Sequence, residues 1–187
     1  MKPQRYGPFP YTPITQRPKI TWPGGARLAF WIIPNVEFFP LDETVPVRGP
    51  SGKVPDIPNW AHRDYGARIG IFRIMEVLNR HGIKGTVTLN SEVCDAYPQI
   101  VEEIMRLDWE IMGHNQSNSR LLNAVPPETE KDLILDSLAR IEEFTGKRPT
   151  GWLGSGLAGR LMDCFFAGRS SGGLRPVLHR FAPVCGD

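Results

Sequence analysis

The sequence is poor in cysteine: Cys94, Cys164 and Cys185 are the three in 187 residues. An odd, widely spaced trio supplies neither an even disulfide framework nor the paired spacing of a zinc knuckle, and it fits a reducing compartment. Long hydrophobic runs are missing too. No stretch approaches the ~20 apolar residues of a membrane span. The opening Met1-Lys2-Pro3-Gln4-Arg5-Tyr6 leads into prolines and aromatics where a signal peptide would carry an apolar core. Charge of one sign is not in excess either, since 22 Lys+Arg against 20 Asp+Glu leave a formal +2. That balance is too small to imply a nucleic-acid partner or a strongly anionic membrane. The expectation is a soluble, cytoplasmic chain of a length that one core can serve.

Proline dominates residues 1–26, at positions 3, 8, 10, 13, 18 and 23, with Tyr6, Phe9, Tyr11 and Trp22 interleaved. Such an arm cannot be helical and is expected to be an extended strap that wraps the domain. Residues 27–34 form a nearly continuous apolar run, the pattern of a strand buried on both faces. A loop rich in proline and glycine is expected over 39–63, overhanging the C-terminal end of that strand. The periodicity then predicts a helix over 65–81 closed by Gly82, a strand over 83–89, and a polar turn at Asn90-Ser91-Glu92. A helix over 96–107, a strand over 110–113, a helix over 126–145 closed by Gly146, and a strand over 148–154 complete the series. Strands alternating with helices of this length predict βαβ units and a parallel sheet in an α/β fold. Residues 159–187 break the pattern: they hold no lysine and no glutamate, and Ser170-Ser171-Gly172-Gly173 interrupts any periodicity. This atypical tail is read as the mark of a C-terminally truncated or frame-altered chain.

A parallel sheet would bring distant loops to one rim: Asn35, Val36 and Glu37 after the first strand, Asn90 and Glu92 after the second, His114 to Asn118 after the third, and Trp152 to Ser155 after the fourth. Ligands bind at that rim in open and barrel-like α/β proteins. His114 ends an apolar strand and can exchange a proton near neutral pH. Glu37, flanked by Phe38 and Phe39, is a candidate proton carrier, with an exposed loop glutamate as the equally weighted alternative. Arg148, before Pro149, is more simply a salt-bridge anchor than a catalyst, and orienting a carboxylate such as Glu37 would be its natural task. In Arg63-Asp64-Tyr65-Gly66, Asp64 is expected to cap a helix. A zinc site wants about three ligands from His, Asp, Glu and Cys. Here His114 is followed four residues later by Asn118, a poor ligand, and His62, His81 and His179 fall in unrelated segments.

A first-strand acidic motif, a strand ending in Gly113-His114 with a polar residue four positions on, and Arg148-Pro149 opening the next strand resemble the polysaccharide deacetylase superfamily with its NodB-homology domain. Gly66-Ala67-Arg68-Ile69-Gly70-Ile71-Phe72-Arg73 together with Glu110-Ile111-Met112-Gly113-His114 is most similar to its allantoinase-like branch. The resemblance covers about residues 20 to 158. It implies a distorted (β/α) barrel, of which residues 27–158 would be the N-terminal part, and hydrolysis of non-peptide carbon–nitrogen bonds. It places Glu37 at the base position, Phe38 at a metal-ligand position, and His114 and Asn118 at the family's histidine pair. One ligand of three remains, so no metal is expected, zinc through His114 alone being the alternative. The implied roles are Glu37 as base, His114 as polariser and Arg148 as clamp, with Trp152, Asn118, Asn35 and Arg63 as substrate contacts. The expected substrate is a glycan or a small molecule, with deacetylation of N-acetyl sugars weighed against metal-independent, allantoinase-like opening of a cyclic amide. A non-catalytic ligand-binding relative or an inactive fragment is the further alternative, and a homo-oligomer is compatible with the sequence. Two later family motifs, including the Leu-x-x-His element that supplies the catalytic acid, are not found.

Overall fold

The computed structural model describes residues 11–45, 53–157 and 175–176. Five strands form one parallel sheet in sequence order: β1 (Asn35–Val36), β2 (Thr86–Leu89), β3 (Glu110–Gly113), β4 (Gly151–Trp152) and β5 (Arg175–Pro176). Helices α1 (Ile57–Tyr65) and α2 (Ile71–Arg80) connect β1 to β2, α3 (Val93–Ala96) and α4 (Pro98–Arg106) connect β2 to β3, and α5 (Pro127–Thr145) connects β3 to β4. The sheet is open among the described residues and forms part of a (β/α) barrel.

β2 lies inside the sheet, and every one of its residues is buried, so Thr-Val-Thr-Leu shows no alternation of buried and exposed positions. Val87 and Leu89 are fully buried and meet Met75 and Leu78 of α2 and Ile100, Val101 and Ile104 of α4 in the main core. Each side chain of this size removed from water contributes about 1.5–3 kcal/mol. A second cluster joins Leu122, Ile134, Leu138 and Trp152 on the side of α5.

The helix boundaries have local causes. Asp56 accepts the Asn59 N–H at 3.3 Å and caps α1. Pro98 and Pro127 each occupy the first helical position, where no N–H is needed. Gly82 (φ +66°) and Gly146 (φ +70°) supply the left-handed residues that end α2 and α5.

Several sequence expectations need correction. The helical region begins at Ile57, so the expected loop over 39–63 is shorter, and α1 runs through the π-helical turn Gly66–Gly70 into α2. Asp64 lies inside α1 and accepts from Tyr97 Oη at 3.0 Å and from Arg68; it is not a cap. The first strand is not the doubly buried run 27–34. Leu28 and Phe30 are 76% and 72% exposed, and pairing with β2 starts only where the carbonyls of Ile32 and Pro34 accept from Thr86 and Thr88. Pro34 has no N–H to donate, which suits an edge strand. Nor does the arm wrap the domain over its described part: residues 14–30 are exposed. The tail lies outside the described residues except for Arg175–Pro176, which adds a parallel bridge to β4.

Candidate active site

The strand register aligns the chemistry. Val36 pairs with Leu89, Leu89 with Gly113, and Gly113 with Trp152, so Glu37, Asn90, His114 and Leu153 follow in one row along the rim. The crossing is tight at Gly113, where a Cβ would lie 2.6 Å from the Trp152 ring. Only glycine lets β3 and β4 approach this closely with Trp152 beneath.

His114 is buried. Its Nδ1 faces the Leu153 carbonyl oxygen at 2.5 Å, which places a proton on Nδ1. Its Nε2 has no hydrogen-bond partner and lies 3.5 Å from Glu37 Oε1. The Glu37 side chain is 30% exposed against 3% for His114, so the histidine is the deeper of the two. This is the geometry of a ring held by one nitrogen so that the other is available.

Around the pair runs a buried amide network. Asn90, fully buried, accepts the Phe38 N–H at 2.7 Å and donates to Asn118 Oδ1 at 3.1 Å and to the His114 carbonyl. Ser155 Oγ donates to the same Asn118 oxygen at 2.5 Å. The Asn118 N–H is bound to the Phe38 carbonyl at 2.9 Å. Asn115, at φ +60°, accepts the Ser155 N–H at 3.4 Å and donates to the Arg120 carbonyl at 3.2 Å. Asparagine tolerates this left-handed geometry better than most residues. Arg120 closes the rim from outside, binding Glu43 after β1 at 2.9 Å and Glu92 after β2 at 2.5 Å. These carboxylates raise its pKa, the Glu43 hydrogen bond most.

A cavity of about 210 Å³ opens beside Glu37, walled by Asn35, Phe39, His62, Arg63 and the π-helical turn at Gly66 and Ala67. The Arg63 guanidinium lies 4.8 Å over the Phe39 ring and donates to the Asn59 carbonyl at 3.0 Å. Asn35 Oδ1 accepts from Thr88 at 2.7 Å. A larger cavity, about 500 Å³, lies where β3 and β4 begin, against Trp109, Glu110, Lys147 and Arg148. It is at the end of the sheet opposite the rim, away from Glu37 and His114.

Of the residues expected at the site, the structure brings Glu37, His114, Asn118, Asn35 and Arg63 to the rim. It does not bring Arg148, which pairs with Glu142 at 2.7 Å at the far end of the sheet and so does not clamp Glu37. Trp152 is 5% exposed and packs in the α5 core, so it does not line the cleft. His62, read as remote from the sequence, lines the cavity. The sequence places Asn90 and Ser155 on the rim without a role, since a polar residue after a strand is common; the signal for Asn90 is that it directly follows a strand buried throughout.

Residues 46–157, more than half of the chain, match the sequence model of the polysaccharide deacetylase family. The chain belongs to the polysaccharide deacetylase family. No curated protein matches the sequence. Among solved structures, a Puue allantoinase is similar at 20% identity and a TM-score of 0.70, over 83% of this chain and 55% of that one. A probable polysaccharide deacetylase from Pseudomonas aeruginosa PAO1 is similar at 22% identity and 0.66, over 78% and 52%. The chain therefore spans about half the length of these structures, and the likeness is one of fold. The family's metal can be tested against the donors present. Phe38 offers none, the Asn118 oxygen already accepts from Asn90 and Ser155, and among the described residues no group of three His, Cys, Asp or Glu converges. One imidazole and one carboxylate do not make a zinc site, so the residues do not fit the metal.

Proposed function

We propose that this chain carries the base-and-polariser half of a hydrolase of non-peptide carbon–nitrogen bonds, working without a metal. The observation that supports it is the bare, buried His114 Nε2 at 3.5 Å from Glu37, at the strand ends where this fold binds ligands.

With Nδ1–H committed to Leu153, the neutral ring has an acceptor at Nε2, and only the imidazolium can donate there. A substrate carbonyl is polarised by that Nε2–H while the Glu37 carboxylate supplies the counter-charge. Glu37 takes a proton from a water as its oxygen bonds to the carbonyl carbon, and the electron pair moves onto the carbonyl oxygen, held by Nε2–H. Collapse of the tetrahedral adduct breaks the carbon–nitrogen bond. The leaving nitrogen receives the proton that Glu37 took, so the carboxylate is regenerated.

Within this class a small cyclic amide is favoured over an N-acetyl glycan. The cavity beside Glu37 holds about 210 Å³ and is lined by Asn35 and Arg63 among others, smaller than the ~300–1,000 Å³ of sites for drug-sized ligands. A cytoplasmic setting is supported by Cys94, a buried free thiol. No helix among the described residues is long and apolar enough to cross a membrane. A homo-oligomer is supported by the exposed Trp22, Leu28 and Phe30 of the arm.

The purified chain is tested with a five-membered cyclic ureide, a six-membered cyclic amide and an N-acetyl oligosaccharide, following ring opening or acetate release. Turnover of a cyclic amide that falls at least ~100-fold in His114→Ala supports the reading. Acetate release alone would replace the substrate class, and binding without turnover would make the chain a ligand-binding relative.

A further inference from the structure

We infer that Asn90 is the positioning residue of this site, setting the separation of Glu37 and His114 through the main chain on either side of it. The inference rests on the hydrolase reading above, because it assigns a task in bringing those two side chains together.

Four contacts carry it. Asn90 Oδ1 accepts the N–H of Phe38, the residue after Glu37, at 2.7 Å. Its Nδ2 donates to the carbonyl of His114 itself and to Asn118 Oδ1 at 3.1 Å, with Ser155 Oγ at 3.4 Å. One planar amide thus spans the loops after β1, β3 and β4 from the end of β2, with an acceptor toward the base and a donor toward the histidine. Main-chain bonds also tie these loops, His114 N–H to the Leu89 carbonyl at 3.0 Å and Asn118 N–H to the Phe38 carbonyl at 2.9 Å, and the Asn90 amide adds a side-chain tie where the strands are short. β1 is two residues long and β4 is two residues long, so each loop leaves the sheet after a short ladder. Asn90 is fully buried with both amide atoms engaged, so truncation leaves the Phe38 N–H without its acceptor and leaves the His114 carbonyl to Ser155 Oγ alone, at 2.9 Å.

Aspartate separates the two halves of this task. It is nearly isosteric and keeps the acceptor for Phe38 N–H, but it loses the donor to His114 and Asn118. Because a misplacement of about 1 Å can cost ~100-fold in rate, the loss belongs in kcat rather than in KM.

Wild type, Asn90→Ala and Asn90→Asp are compared with Ser137→Ala, which removes a buried hydroxyl bonded to Leu133 within α5, away from the rim. Melting temperature, kcat and KM on a cyclic amide, and the Glu37–His114 separation in crystals are measured. Both Asn90 variants are expected to lose about 100-fold in kcat with KM within about threefold. Their carboxylate–imidazole separation departs from 3.5 Å by roughly 1 Å or more. Ser137→Ala keeps its kcat whatever it loses in melting temperature. Asn90 variants that melt lower but keep kcat, or that keep the separation, overturn the inference. If the wild type turns over none of the substrates, the hydrolase reading fails and the crystal separation alone decides the positioning role. If Asn90→Ala does not fold, Asn90→Asp carries the comparison.

Discussion

At the scale of single residues, the site depends on which atoms are already committed. The Asn118 oxygen is taken by Asn90 and Ser155, and Phe38 packs edge-on against Tyr97 at 5.8 Å between ring centroids. Zinc is therefore expected not to raise the melting temperature of the wild-type chain, whereas a ligand held at 100 times its Kd would add about 2.7 kcal/mol. A zinc-dependent shift in differential scanning calorimetry would restore the metal to the account. Cys94 offers a second expectation. Burial, and then Asp95, push its thiol up to about 11, so it should resist iodoacetamide at neutral pH in the folded chain and react on denaturation. Below the ordinary thiol range both states keep the proton and stability is unaffected. As the pH rises from there toward about 11 the unfolded chain ionises first, and stability falls. Peptide mapping of Cys94 at two pH values checks this.

At the scale of elements, the close approach of β3 and β4 is the most demanding feature. Gly113→Ala would drive a Cβ into Trp152 at 2.6 Å and Leu138 at 3.0 Å. It should cost about 1–3 kcal/mol, read as a lower urea midpoint. Arg120→Ala removes ion pairs to Glu43 and Glu92 that are partly exposed, and should cost at most about 1 kcal/mol. Much of this level was legible from the chain. The strand Glu110–Gly113 has the bounds its apolar run predicts, and the helix expected over 126–145 and closed by Gly146 runs from Pro127 to Thr145. The alternation of strand and helix suffices to place Glu37 and His114 on one rim, because parallel strands have their C-terminal ends on the same side of the sheet. What was not legible depended on distance. Arg148 could be placed at a strand's start, but its choice of Glu142 over Glu37 is a matter of which end of the sheet each occupies. The family resemblance implies Trp152 as a cleft contact, yet the missing side chain at Gly113 lets it sink into the core. Leu28 and Phe30 matched a buried strand by composition, and tertiary context left them outside.

At the scale of the whole molecule, the described arm stands off the domain: Ile14, Ile20, Leu28 and Phe30 are all more than half exposed. Brief trypsin treatment should cut after Lys19 and Arg27 before it cuts after Arg106 in α4, a sequence that mass spectrometry of the fragments resolves. The chain spans about half the length of the solved structures it is similar to, and the sheet is open among the described residues. The rim row of Glu37, Asn90 and His114 is nonetheless assembled within it. The most direct measurement is therefore turnover of a cyclic amide by the whole purified chain after exhaustive chelation, beside Glu37→Gln treated alike. Turnover that survives chelation in the wild type and falls at least ~100-fold in the variant is the predicted result. Turnover that disappears with the chelator and returns with zinc, or that persists in Glu37→Gln, would contradict it.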